Sequence, residues 1–113
     1  MNLGLALRTE GDIPVLSVSG ELDMAVVGQV EQALVPVEAR RPPVLLLDLR
    51  DLTFMDSSGL RLVLEADIRA RRDGRRLVVV RGPDPVHRVF TVTALDKRLK
   101  FVADPADIGS VRS

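Results

Sequence analysis

Asp56-Ser57-Ser58-Gly59 places two hydroxyls behind a carboxylate, directly ahead of an amphipathic run beginning at Leu60. Hydroxyls at a helix start lie beside unpaired backbone N–H groups and the positive end of the helix dipole, a setting that stabilises a phosphate or an oxyanion. The same residues also spell an ordinary N-cap, in which Asp or Ser accepts first-turn amide protons. A second acidic stretch, Gly20-Glu21-Leu22-Asp23, precedes another amphipathic run. It reads either as a turn in which Asp23 caps a helix, or as part of one site with Ser57 if the topology brings both to one sheet edge.

Other chemistries lack their parts. No Gly-x-x-x-x-Gly-Lys-Ser/Thr or Gly-x-Gly-x-x-Gly run is present to cradle a nucleotide, and neither Ser57 nor Ser58 has a Gly-x-Ser-x-Gly frame. With no Cys and a single His, thiolate nucleophiles, iron–sulfur centres, His/Cys metal sites and a Ser-His pair are not expected. No catalytic residue and no metal ligand is therefore assigned, and the chain is read as a non-enzyme.

His87 reads as a surface or partly covered helix residue. The run Arg69-Ala70-Arg71-Arg72-Asp73-Gly74-Arg75-Arg76 reads as solvated cations complementing the negative end of a helix. Sixteen Lys and Arg balance sixteen Asp and Glu, and aromatic residues are only 3%, so no nucleic-acid partner is expected. No apolar run approaches the roughly 18 residues that would span a bilayer, and the start Met1-Asn2-Leu3-Gly4 is not a basic-then-apolar leader. The expectation is a cytoplasmic protein with no direct membrane insertion.

These groups must be positioned by a small frame. A chain of 113 residues, 46% hydrophobic and 28% charged, fits one soluble domain over residues 1–113. Leu3, Leu5 and Leu7 alternate, Glu10-Gly11-Asp12 turns, and Ile13 to Ser19 resumes, as in a hairpin. Met24 to about Ala39 is amphipathic, with a kink or early end expected at Pro36. Val44 to Leu49 is nearly continuous aliphatic sequence, a central strand covered on both faces. After a connection at Arg50 to Asp56, a helix runs from Ser57 to Asp73 with Leu60, Val63, Leu64 and Ile68 inward, and Gly74 as its cap. Leu62 falls beside Arg61, Glu65 and Arg69 on the wheel, as an exposed apolar contact for a partner.

Leu77 to Val80 reads as a neighbouring interior strand, Asp84-Pro85 opens a third helix, and Leu99 to Val102 forms a last strand. Asp104-Pro105 opens a final helix that is short, since nine residues follow Asp104. The order β-β-α-β-α-β-α-β-α predicts an α/β domain: a mostly parallel sheet of four to five strands, an antiparallel N-terminal edge strand and about four helices. Asp56-Ser57 would then lie at the C-terminal sheet edge, near the Gly20 to Asp23 loop.

The paired motifs Gly20-Glu21-Leu22-Asp23 and Asp51-Leu52-Thr53-Phe54-Met55-Asp56-Ser57-Ser58-Gly59-Leu60, at this separation and after an aliphatic strand, closely resemble the STAS-domain anti-sigma factor antagonists of bacteria. The resemblance covers essentially the whole chain; Pro36 and the short last helix depart from the family pattern. It implies a STAS-like fold and a transcription-regulating, partner-switching role. The unphosphorylated antagonist binds an anti-sigma factor that is itself a serine kinase, and so frees a sigma factor. Phosphorylation switches binding off, and a metal-dependent serine phosphatase resets it. Carried over, the acceptor is Ser57, with Asp23, Asp56, Ser58 and Gly59 in the surrounding surface. No cofactor is implied for this chain, the ATP belonging to the kinase. STAS domains also serve as constitutive accessory subunits of lipid transporters or as signalling scaffolds, the alternative that the resemblance leaves open.

Overall fold

A computed structural model describes residues 3–108. Leu3–Glu10 (β1) and Ile13–Leu22 (β2) form the expected antiparallel hairpin, its turn carrying Gly11 at φ +64°. β2 serves two parallel neighbours on its other side. Val15 to Ser17 pair with Val44–Asp48 (β3), and Gly20 to Leu22 pair with Leu52–Met55 (β4). Gly20, at φ 90°, sits where the register shifts between the two, a backbone conformation that a side chain would strain.

Arg76–Val80 (β5) pairs with β3, and Lys100–Val102 (β6) pairs with β5, both in parallel. The order is β1-β2-β3-β5-β6 with β4 joined to β2, making six strands instead of the four to five expected. The added strand is β4, which the sequence reading placed inside a connection. Its burial runs Leu52 in, Thr53 and Phe54 out, Met55 in, so no period of two marks it as a strand.

Three α-helices, Val27–Ala39 (α1), Ser57–Arg72 (α2) and Asp84–Val92 (α3), and two 3-10 turns, Leu95–Lys97 and Pro105–Ile108, replace the four helices expected. The helix read from Asp104-Pro105 is a 3-10 turn, Pro105–Ile108, and residues 109–113 lie outside the described residues.

Alternation along β3 and β5 divides the core. Leu45, Leu47, Leu77 and Val79 join Val30, Leu34, Leu62, Val63, Val86 and Phe90 in the helix-facing cluster. Leu46, Val78 and Val80 join Ile13, Val15, Val102 and Ile108 on the other face. Both faces of β3 and β5 are thus covered, which is why their sequences are continuously aliphatic.

Two helix expectations need correction. Of the kink or early end expected at Pro36, the early end does not occur: α1 continues to Ala39 with Pro36 on its exposed face, while the buried Leu34 and Val37 hold the last turn down. In α2 the buried face is Gly59, Leu60, Leu62, Val63, Ala66, Asp67 and Ala70, whereas Ile68 is 49% exposed and Leu64 only half-buried. Small residues let the helix approach the sheet closely, and a wheel weighted by bulky aliphatics misses that stripe. Gly74, at φ +72°, ends the helix as expected.

Candidate functional site

β2 and β4 end side by side: Leu22 pairs with Met55, and the Asp56 N–H donates to the Leu22 carbonyl at 3.2 Å. The next residues, Asp23 and Asp56, therefore leave the same sheet edge, as the parallel order required. Asp23 does not cap α1 directly. Its carboxylate accepts from the Ala25 N–H at 3.0 Å and its carbonyl from Val26 and Val27 at 3.1 and 3.0 Å. The resulting turn delays the helix to Val27, three residues after the Met24 start expected.

Asp56 is the N-cap of α2. Its backbone is extended, its carboxylate accepts the Ser58 N–H at 2.8 Å, and its carbonyl accepts from Gly59 and Leu60 at 3.1 and 3.2 Å. Ser57 is the first helical residue and is exposed, while Ser58 is half-buried. Among the described residues no protein group bonds the Ser57 hydroxyl. It faces outward at a helix N-terminus.

Gly59 and Leu62 were expected in a partner-facing surface, and both lie beneath it. A Cβ on Gly59 would stand 2.5 Å from Met55 Cγ and 3.1 Å from Leu22 Cδ2, so this glycine seats α2 against β2 and β4. Leu62 is 2% exposed and belongs to the helix-facing core cluster with Val30, Leu34 and Val63. It does contribute to a depression of about 550 Å³ between the start of α1 and α2, lined also by Met24, Val27, Glu31, Ser57, Ser58, Arg61 and Glu65.

The rim residues are what the sequence reading missed. Met24, 77% exposed, lines the depression with the exposed Ser57, and Phe54 on β4, three residues before Ser57 in the chain, is a second large apolar group at 49% exposure. Their signal was available only as apolar residues adjoining the two motifs. Glu31 and Glu65 on the depression add to Asp23 and Asp56 nearby, with Arg61 the one cation on its lining.

Other titratable groups are committed elsewhere. Asp48, buried at the end of β3, accepts from Arg50 Nε and Nη2 at 3.1 and 2.9 Å, from Arg8 at 3.2 Å and from Ser17 at 3.5 Å. Burial pushes its carboxyl up, but the hydrogen bonds and charge of Arg50, with Arg8, outweigh this and hold it below the usual carboxylate range.

His87 is buried, not a surface residue: its ring meets Phe90 and Phe101 at centroid distances of 6.0 and 4.8 Å. Burial, followed by the Arg81 charge, lowers its affinity for a proton against the opposing pull of Asp96 and Asp84. Packed in this aromatic cluster, it supplies no base to a serine. Among the described residues no three His, Cys, Asp or Glu side chains gather as a metal site would need. Nor is any described helix long and apolar enough to cross a membrane.

Comparison with known proteins agrees with this architecture. Residues 5–103 match the family profile described as "Mlab, STAS domain". An anti-sigma-B factor antagonist of Staphylococcus epidermidis is 28% identical over 96% of this chain and 99% of its own length. One from Staphylococcus aureus is 27% identical over the same shares. The crystal structure of an anti-sigma factor antagonist from Mycobacterium paratuberculosis superposes with a TM-score of 0.86 at 28% identity, covering 99% of this chain and 96% of that one. A sheet edge that brings Asp23 and Asp56-Ser57 together on a frame matched over nearly its whole length leaves one assignment: the chain belongs to the STAS domain family.

Proposed function

We propose that this protein is an anti-sigma factor antagonist whose binding is switched at Ser57. The observation that carries the reading is the exposed Ser57 hydroxyl at the first position of α2, beside Asp56 and at the same edge as Asp23, on a depression that Met24 also lines. The names of the full-length relatives support it. On this reading the hydroxyl form docks on an anti-sigma factor in the cytoplasm and releases a sigma factor. That partner is a serine kinase, which transfers the γ-phosphoryl group of its ATP to Ser57 Oγ; a metal-dependent serine phosphatase hydrolyses the ester and restores the hydroxyl.

The electrostatics make such a switch large enough without refolding. A phosphoserine brings about −1.5 to −2 charges at pH 7. The helix N-terminus attracts that charge within the chain, whereas the nearby carboxylates repel it and a partner surface shaped for a neutral hydroxyl must desolvate it. At an effective dielectric near 20, one repulsive pair roughly 6 Å apart costs about 3 kcal/mol, a hundredfold in affinity.

Calorimetric titration of the anti-sigma factor into three variants tests the reading. Ser57→Ala should bind as tightly as the unmodified protein, and Ser57→Asp about tenfold to a hundredfold more weakly, while Ser58→Asp tests whether charge at the neighbouring position acts alike. Equal affinity for all of them would favour the constitutive accessory subunit instead.

A further inference from the structure

In the run Arg69 to Arg76, Arg69, Arg71 and Arg72 occupy the last turn of α2 and Arg71, Arg72 and Arg76 are exposed, as expected, but Arg75 is not solvated. Arg75 is buried, its guanidinium donating to Asp73 at 3.1 Å while its Nε finds no partner. Arg71 is held in place by Asp67 at 2.9 Å and by the Arg98 carbonyl at 2.6 Å. These contacts draw the end of α2 against the start of β6. The result is a depression of about 810 Å³ at the N-terminal edge of the sheet, the edge opposite Ser57.

Arg71, Arg75, Arg76, Arg98 and Lys100 line it, against one carboxylate, Asp67. Asp67 pairs with Arg71, and Asp73, just off the lining, pairs with Arg75, so in this chain of zero net charge the local excess of positive charge is carried by Arg98 and Lys100. Complementing the dipole of α2 accounts for Arg71 but not for Arg98 and Lys100, which come from the segment leading into β6. Among the described residues no hydrogen bond or ion pair engages either of those two side-chain cations. Val44, Leu77 and Leu99 supply an apolar part of the lining. A concave, partly apolar lining fits a compact molecule better than a flat membrane surface.

We propose that this cleft is an anion-binding site for a small oligophosphate: a soluble molecule carrying two or more phosphate groups on a partly apolar body. Arg98 and Lys100 engage the phosphates as the uncommitted charges, with Arg71 as a pre-positioned guanidinium beside them. The site does not depend on Ser57 or on any switching there.

The test is a nuclear magnetic resonance titration of the full chain with inorganic tripolyphosphate at physiological salt. Backbone amides of Arg75 to Leu77 and Arg98 to Lys100 should shift saturably, and the Arg98→Gln/Lys100→Gln double variant should bind about tenfold more weakly with an unchanged thermal midpoint. A control pair with the same charge loss elsewhere, Arg61→Gln/Arg88→Gln, should bind within about twofold of the parent by the same charge argument. Shifts scattered over all surface cations, no saturation, or equal weakening by the control pair would overturn the proposal. So would binding to vesicles containing phosphatidylglycerol that depends on Arg98 and Lys100 when tripolyphosphate is not bound, since the ligand would then be a lipid headgroup.

Discussion

The two ends of the sheet are built oppositely. At the C-terminal edge, an exposed hydroxyl sits among carboxylates and an apolar rim, with Asp56 committed to capping and Ser57 left uncommitted. At the N-terminal edge, cations from α2, β5 and β6 crowd one concavity, several of them fixed by ion pairs or backbone carbonyls. A net charge of zero conceals this division. Overall charge excludes a long-range field, but it says nothing of how charge is sorted between two ends joined by a covered, apolar sheet.

The contrast can be broken from the core outward. Leu62 lies under the Ser57 depression, so Leu62→Ala should cost about 3 kcal/mol of unfolding free energy by cavity formation, measured by urea denaturation. Were it instead a surface contact, stability would hold and only partner binding would suffer. Asp48→Asn should cost about 1–3 kcal/mol by weakening the Arg50 and Arg8 bonds. Because the folded carboxyl titrates below its unfolded range, that stability is present above the unfolded pKa, about 3.9, and is lost as pH falls through the folded value. Asp48→Asn should flatten this acid limb.

His87 sharpens the comparison at milder pH. Its proton affinity is lowered in the folded state, so the unfolded chain binds more protons and stability falls as pH drops below about 6.5. Hydrogen exchange at pH 5.5 should therefore show α3 and β6 loosened relative to pH 7.5, while the Asp48 network, titrating lower, keeps β1 to β3 protected. His87→Phe should remove the difference. The smallest effect is expected at Ala94, held at φ 61°, where Ala94→Gly should raise stability by up to about 1 kcal/mol in thermal unfolding.

The aliphatic strands β3 and β5 could be read directly, because burial on both faces leaves an unbroken apolar run. The joint placement of Asp23 and Asp56 also followed from parallel alternation alone. β4 could not be read, since four residues that bury only their ends carry no period. The seating of α2 was misjudged because Gly59, Ala66 and Ala70 determine its approach while Leu64 and Ile68 dominate any hydrophobic count. His87 read as a surface or partly covered residue because the Phe101 ring that packs on it arrives from β6, fourteen positions along the chain. The basic cleft escaped for the same reason: Arg98 and Lys100 meet Arg71 only through tertiary folding.

The proposed switch requires phosphate on Ser57 and not on Ser58. Incubation of the protein with the anti-sigma factor kinase proposed as its partner and magnesium ATP, followed by peptide mass spectrometry, should place one phosphate on Ser57. The modification should persist in Ser58→Ala and vanish in Ser57→Ala, and the phosphorylated chain should lose its affinity for the kinase. Phosphate retained in Ser57→Ala but lost in Ser58→Ala, or a Ser57 phosphate that leaves binding unchanged, would contradict it.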